Sequence, residues 1–346
     1  MGDQMAADAE LMDTFDRAFS PLEGAVADGR IPGGVFGLVD LKHGRATRAI
    51  GSAQIVPAVR PMTLETWFDL ASLTKVIFTT PHILELAEQG TIDLDAPLTT
   101  VLPDLRQYNT DAWERKVTFR QCLSHQTPFP AVEPIYTYGS DPELLRAFVL
   151  QREWRHGPPV YSDINFILLG LALERLTGKL IRDLDPGQGF AFCADPDKSA
   201  ATENCTWRQR VLCGEVHDEN CAALQGSGHA GLFGTVDSVL DFAEGLLNGT
   251  GVSKHAIALM RTPLSDKRTH GWEHPYQNWS GGRACSPGTI GHTGFTGTGL
   301  WIDFHRGRAW TLLTNRVHPT RHRESGIFQL RPETGDAVIA AWDQEA

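Results

Sequence analysis

The chain has 346 residues, 41% of them hydrophobic and 21% charged, with 34 Gly and 20 Pro. That is the composition of an ordinary soluble globular protein, with length for a large core and two subdomains. A formal net charge of -11 argues against nucleic acid or an anionic membrane as partner, and no apolar run approaches a membrane span.

The acidic start, Met1 to Asp8, leads into a helical stripe of Leu11, Phe15, Ala18, Phe19 and Leu22, which predicts an N-terminal helix and no secretory signal. Gly33-Gly34 opens the buried-strand pattern Val35 to Asp40, and His43-Gly44 reads as a hairpin turn into a second strand around Arg45 to Ile50. A long helix is expected after residue 75, with Ile77, Ile83, Leu84 and Leu86 apolar and Gly90 as its stop. A short helix follows in Val117 to His125, and a buried one in Asn165 to Leu176, ended by Gly178. Asp183 to Thr206, rich in Asp, Gly, Pro and Ser, reads as an irregular loop. Val236 to Leu247 is helical. Strands return at Gly299 to Phe304 and Ala309 to Asn315, and Val338, Ile339, Ala341 and Trp342 mark a final helix.

Strands at both ends and helices between them predict an α/β (α+β) fold. In it, one antiparallel sheet is flanked by N- and C-terminal helices and interrupted by a mainly helical insertion. The expected division is a sheet domain from 1–71 and 230–346, a helical domain from 72–229, and a cleft between them. The cysteines Cys122, Cys193, Cys205, Cys213, Cys221 and Cys285 form no Cys-x-x-Cys pair. They read as reduced thiols of a cytoplasmic protein, a Cys193–Cys205 disulfide remaining open.

The most informative stretch is Ser72-Leu73-Thr74-Lys75. Residues three apart share a helix face, so the amine sits beside the hydroxyl. A serine is a weak nucleophile until a neighbouring base takes its proton, and lysine can serve when its surroundings tune it. Alone, the pattern is more often that of a capping or surface serine followed by a solvated lysine. It is followed in order by Tyr161-Ser162-Asp163 and His292-Thr293-Gly294.

This order resembles the penicillin-recognising serine hydrolases: class C β-lactamases, D-alanyl-D-alanine carboxypeptidases and related esterases, aminopeptidases and transacylases. Phe68 to Ala71, Leu123-Ser124-His125, Gly214 to Asn220 and Gly228 to Gly234 support it, from roughly Phe15 to Trp342. The resemblance implies that Ser72 forms an acyl-enzyme and that Lys75 and Tyr161 move the proton. It places oxyanion donors at the backbone of Ser72 and Phe295 and substrate contacts at Asp163, His292, Thr293 and Gly294. No metal or cofactor is implied, and the expected partner is a small ester or amide. Oligomeric state is left open.

Two departures shape the expectation. Asp163 stands where β-lactamases carry Asn; a carboxylate there favours charged lysine and moves base duty to Tyr161, aided by Lys75 and by His292 if protonated. His292 replaces lysine and is a full cation only below its pKa. Residues 181–193 also lack the Pro-Leu-Gly-Met-like segment of relatives. The expected activity is a carboxylesterase-like hydrolase. A transacylase, a β-lactamase or carboxypeptidase, and a non-catalytic binding module are the alternatives. His217, Asp218 and His229 read as a hydrogen-bond cluster rather than a metal site, His125 as a structural histidine, and Trp272, Tyr276, Trp279 and Trp301 as packing residues.

Overall fold

The computed structural model describes residues 2–340, with side chains from residue 11; the expected helical positions Ala341 and Trp342 lie outside the described residues. Helix α1 (Gly2–Ala27) leads into strands β1 (Gly33–Asp40), β2 (Gly44–Gln54) and β3 (Arg60–Pro61). Then come β4 (Phe68–Asp69), α2 (Thr80–Glu88), α3 (Phe119–Leu123), α4 (Pro142–Gln151) and α5 (Asp163–Thr177). β5 (Phe190–Ala191), β6 (Ala201–Cys205), β7 (Arg210–Cys213), α6 (Glu219–Leu224), β8 (Phe233–Gly234), α7 (Val236–Asn248) and α8 (Lys254–Arg261) follow. The chain closes with β9 (Ile290–Thr293), β10 (Thr298–Asp303), β11 (Arg308–Thr314) and α9 (Ile327–Ala340).

The main sheet has six strands in the order β3-β2-β1-β11-β10-β9, and every pairing in it is antiparallel. It thus joins strands from both ends of the sequence, as expected, and β9 lies at its edge. β1 is buried along its whole length because both faces are covered. Phe36 and Leu38 pack with Phe15, Phe19, Leu22 and Val338 of α1 and α9. Val35 and Val39 belong to the opposite core, with Val236, Val239 and Leu240 of α7. This is period-two alternation read by two different helical layers. Each such side chain, fully buried, stabilises the fold by roughly 1.5–3 kcal/mol. Trp272, Trp279 and Trp301 are buried in these cores, as packing residues.

Two local expectations are corrected. The helix after Ser72 is not uniform: Lys75–Thr79 is one π-helical turn, and regular α-helix begins only at Thr80. The stretch 183–206 is not wholly irregular, since β6 pairs with β7 as a hairpin and β5 joins β8 in a small sheet with β4. Its strands are short, and Ala-Thr-Glu-Asn-Cys carries no apolar alternation.

Helix caps follow ordinary chemistry. Thr235 and Ser238 form a capping box at α7. α5 is capped by Ser162, whose hydroxyl accepts from Ile164 N at 3.2 Å, and ends at Gly178 with φ of 69°.

Candidate active site

The Tyr161-Ser162-Asp163 segment is the start of α5. Ser162 is the cap, held by its hydroxyl donating to Pro130 O (2.6 Å) and its N–H donating to His125 Nδ1 (3.1 Å). Tyr161 therefore sits just outside the helix and Asp163 in its first turn, where the helix dipole favours a carboxylate.

Ser72 sits on a turn clamped by long-range hydrogen bonds. Ala71, just before it, has φ of 48°, a left-handed conformation that needs support from its surroundings. Asp69 Oδ1 accepts from Ala71 N (2.8 Å), and its Oδ2 accepts from His217 N (2.6 Å). Burial raises the Asp69 pKa despite these two donors. Thr74 Oγ1 donates to Ala71 O (2.6 Å) and accepts from Leu232 N (3.0 Å). Thr296 and Thr298 hydroxyls donate to Asp69 O (2.7 Å) and Leu70 O (3.0 Å). The Ser72 turn is thereby tied to the 294–298 turn that follows β9. Arg331 of α9 donates to Gly294 O and Thr298 O, both at 2.7 Å, and burial pulls its pKa down to about 9.

Lys75 is fully buried. Its Nζ lies 2.8 Å from Ser72 Oγ, 3.0 Å from His229 O and 2.8 Å from Asp163 Oδ1. The first two accept ammonium protons, and Asp163 Oδ1 is the counter-charge of an ion pair. Burial opposes the charge, but Asp163 and Tyr161 outweigh it, and the Lys75 pKa is raised. The carbonyl of His229 reaches Lys75 because α5 and the 228–232 segment come very close. A Cβ on Gly228 would stand 2.5 Å from Phe166 O and 3.0 Å from Gly170 Cα.

The Tyr161 ring stands between His125 (4.4 Å) and His292 (5.9 Å), with Lys75 Nζ at 5.1 Å and the Arg268 guanidinium at 4.9 Å from its centroid. Arg268 pairs with Glu273 at 3.0 Å. Burial raises the Tyr161 pKa, and Asp163 adds to that; hydrogen bonding and charge from Lys75 and hydrogen bonding to Ser72 pull the other way and lose. His292 is buried, and desolvation, Arg268 and Lys75 hold its pKa well below the usual imidazole value. The condition on which His292 would aid Tyr161, its protonation, is therefore disfavoured, and the cations beside Tyr161 are Lys75 and Arg268.

His125 is likewise buried and neutral, its pKa depressed by desolvation, Arg268 and Lys75. It props Ser162 as a structural histidine would, yet it also packs against the Tyr161 ring. A Cβ on Gly294 would strike Thr298 Oγ1 and stand 2.6 Å from Leu70 O, so the chain's own packing requires glycine there. Phe295 is 49% exposed. Its ring stacks on His217 (5.7 Å) and lies beneath the Arg316 (4.8 Å) and Arg321 (5.6 Å) guanidiniums.

Among the described residues, Asp163, Asp218 and His229 bring one donor atom each within 4.8 Å of one another. Lys75 already pairs with Asp163, and Asp218 bonds His229 Nε2 at 2.8 Å. Burial alone would raise the Asp218 pKa; His229, the Cys221 N–H and Lys75 hold it below the usual carboxylate range. The two carboxylates serve as counter-charge to Lys75, and the His229 side chain is held by Asp218. His217 faces away from it, bonding Glu203 at 3.0 Å. A cavity of about 590 Å³ lies elsewhere, lined by Ile77, His82, Phe190 and Phe242 among others, and none of Ser72, Lys75 and Tyr161 borders it.

The structure thus brings Ser72, Lys75, Tyr161, Asp163 and His292 together, with Thr293, Gly294 and Phe295 on the adjoining edge. Of the supporting residues, Asp69 and Thr74 lie within the Phe68–Ala71 and Ser72–Lys75 stretches, whereas Thr296, Thr298, Arg268 and Arg331 carry no spacing signal of their own.

Comparisons with known proteins bear on the family and the fold. A family profile described as Beta-lactamase matches residues 15–331. The N-acetylmuramyl-L-alanine amidase of Bacillus subtilis (strain 168) is 29% identical, the match covering 85% of this chain and 76% of that protein. A putative D-alanyl-D-alanine carboxypeptidase of Escherichia coli (strain K12) is 28% identical, over 80% and 74%. Among solved structures, EstCE1, a hydrolase with promiscuous acyltransferase activity, superposes with TM-score 0.72 at 22% identity, covering 96% of this chain and 99% of that one. Simvastatin synthase (LovD) of Aspergillus terreus does so with TM-score 0.72 at 18% identity and the same coverage.

Proposed function

Because this chain belongs to the beta-lactamase family, we propose that it is a serine hydrolase that cleaves small esters or amides through an acyl-Ser72 intermediate. The reaction runs in a cleft between a sheet lobe (1–71 and 230–346) and a helical lobe (72–229). The observation that carries this reading is the 2.8 Å contact of Ser72 Oγ with a buried Lys75 Nζ that is itself held by Asp163.

The resting pair is a Tyr161 phenol and a Lys75 ammonium, since both pKa values are raised. Lys75 donates to Ser72 and cannot accept its proton. One proton must therefore leave the Tyr161–Lys75 pair, which titrates as a unit, before Ser72 can react. With that proton gone, Tyr161 takes the Ser72 hydroxyl proton as Oγ bonds to the substrate carbonyl carbon. The developing oxyanion is received by the N–H groups of Ser72 and Phe295. Collapse breaks the bond to the leaving atom, which takes the proton back from Tyr161. Water then attacks the acyl-enzyme by the same route, Tyr161 accepting its proton and returning it to Ser72 Oγ.

Ser72→Ala should abolish turnover of a 4-nitrophenyl ester and labelling by a fluorophosphonate. Intact-mass measurement of the wild-type protein with ester, amide, β-lactam and D-peptide substrates would identify the acyl group. Full turnover by Ser72→Ala would refute the assignment. Adding amine or alcohol acceptors to the same assay separates hydrolysis from acyl transfer.

A further inference from the structure

We propose that the Phe295–Arg316 wall of the cleft receives the acyl portion of the substrate and selects acyl groups that end in a carboxylate. The proposal rests on the acyl-Ser72 reading above and adds a substrate class to it.

Direction comes first. The leaving atom takes its proton from Tyr161, so the leaving group lies on the Tyr161 side. The oxyanion points to the Ser72 and Phe295 N–H groups. The remaining substituent of the carbonyl carbon, the acyl chain, therefore runs away from Tyr161. The two sides have different walls: Tyr161 is ringed by His125, His292, Arg268 and Lys75, whereas the Phe295 ring is ringed by His217, Arg316 and Arg321. A half-exposed aromatic ring beside the oxyanion turn is a platform for an apolar chain.

The two arginines on that platform differ. Arg321 pairs with Glu203 and Glu219. Arg316 has no hydrogen-bond or ion-pair partner among the described residues, and its Nε is buried. Its stem packs beside Gly297, where an added Cβ would stand 2.8 Å from Arg316 Cγ. Burial and the neighbouring Arg321 lower the Arg316 pKa while Glu324 supports its charge. A planar guanidinium offers five donors in a fork that matches a carboxylate. A partly desolvated cation with no partner among the described residues gains most from an anion that arrives with the ligand. One guanidinium matches one carboxylate, carried at the far end of a chain whose methylenes lie on Phe295.

The test compares 4-nitrophenyl half-esters of six- to eight-carbon dicarboxylic acids with 4-nitrophenyl esters of the matching monocarboxylic acids. In Arg316→Gln the ratio of kcat/KM for anionic over neutral esters should fall ten-fold or more, chiefly through KM. Arg316→Lys, a point charge in place of a fork, should recover part of the ratio. In the wild-type enzyme the ratio should decline as ionic strength rises, a measurement that needs no variant. An unchanged ratio in Arg316→Gln, or a wild-type ratio indifferent to salt, overturns the proposal. Turnover by Ser72→Ala would instead overturn the acyl-enzyme reading beneath it.

Discussion

Lys75 Nζ and Asp163 Oδ1 lie 2.8 Å apart, with the lysine fully buried and the carboxylate on the first turn of α5. The pair favours the lysine as a cation, which on the proposed mechanism leaves Tyr161 to take the proton from Ser72.

Asp163 raises the pKa of both Lys75 and Tyr161, so Asp163→Asn should lower both. In the wild-type enzyme, activity should rise with pH as the Tyr161–Lys75 pair loses its proton. In Asp163→Asn that rising limb should move to lower pH, by on the order of one unit or more. A kcat/KM profile between pH 6 and 10 checks this, and an unmoved limb would contradict the pair as the titrating unit.

Three buried histidines accept backbone protons in the folded state or lie against cations. His125 accepts from Ser162 N, His318 accepts from Ile55 N at 3.0 Å, and His292 faces Arg268 and Lys75. Burial leads each downward shift, to about 4 for His318. The unfolded chain then binds more protons than the folded one below the ordinary histidine value near 6.5. Stability should therefore be full above about pH 7 and fall from about pH 6.5 towards the folded values, about 4 for His318. Glu203, whose burial is outweighed by His217 and Arg321 so that it is held at about 2, gives way only below about pH 4.5. Denaturant melts at half-unit pH steps measure it; a flat profile from 7 to 5 would contradict the burial of neutral imidazoles.

Gly294→Ala forces a Cβ onto Thr298 Oγ1 and to 2.6 Å from Leu70 O. The edge turn must then retreat from the Ser72 turn, at a cost of about 1–3 kcal/mol. Activity should drop far more than stability, on the order of 100-fold in kcat, because the oxyanion donor on Phe295 moves with the turn. Steady-state kinetics beside a melting curve separates the two effects.

All six cysteines are free thiols, Cys193 exposed and Cys122, Cys205 and Cys221 buried. Burial pushes Cys122 and Cys221 well up and Cys285 to about 12. Alkylation of the native protein should modify Cys193 first and spare Cys122 and Cys221 until unfolding. A melting temperature indifferent to reductant should accompany it. Peptide mapping after brief alkylation decides.

The sequence displayed the site where its parts are local and hid it where they are not. Ser72 and Lys75 share one turn, and Tyr161 and Asp163 flank a capping serine, so short patterns announce them. The clamps by Thr296, Thr298 and Arg331 span more than two hundred residues or link separate elements, and no spacing encodes them. The charge of His292 was equally hidden, because it depends on burial and on Arg268, which arrives from a hairpin before β9. The β6–β7 hairpin escaped because its residues lack alternation, and the π turn at Lys75–Thr79 because an extra residue in a helical turn leaves the apolar pattern nearly intact.

The clamp by Arg331 has a consequence for biosynthesis. The serine and its lysine leave the ribosome early, but the turn opposite them is pinned by a side chain from α9, made long afterwards. On the proposed acyl-Ser72 reading, a growing chain carries its serine without the finished turn opposite, and reactivity toward esters waits until the last strands and α9 have docked.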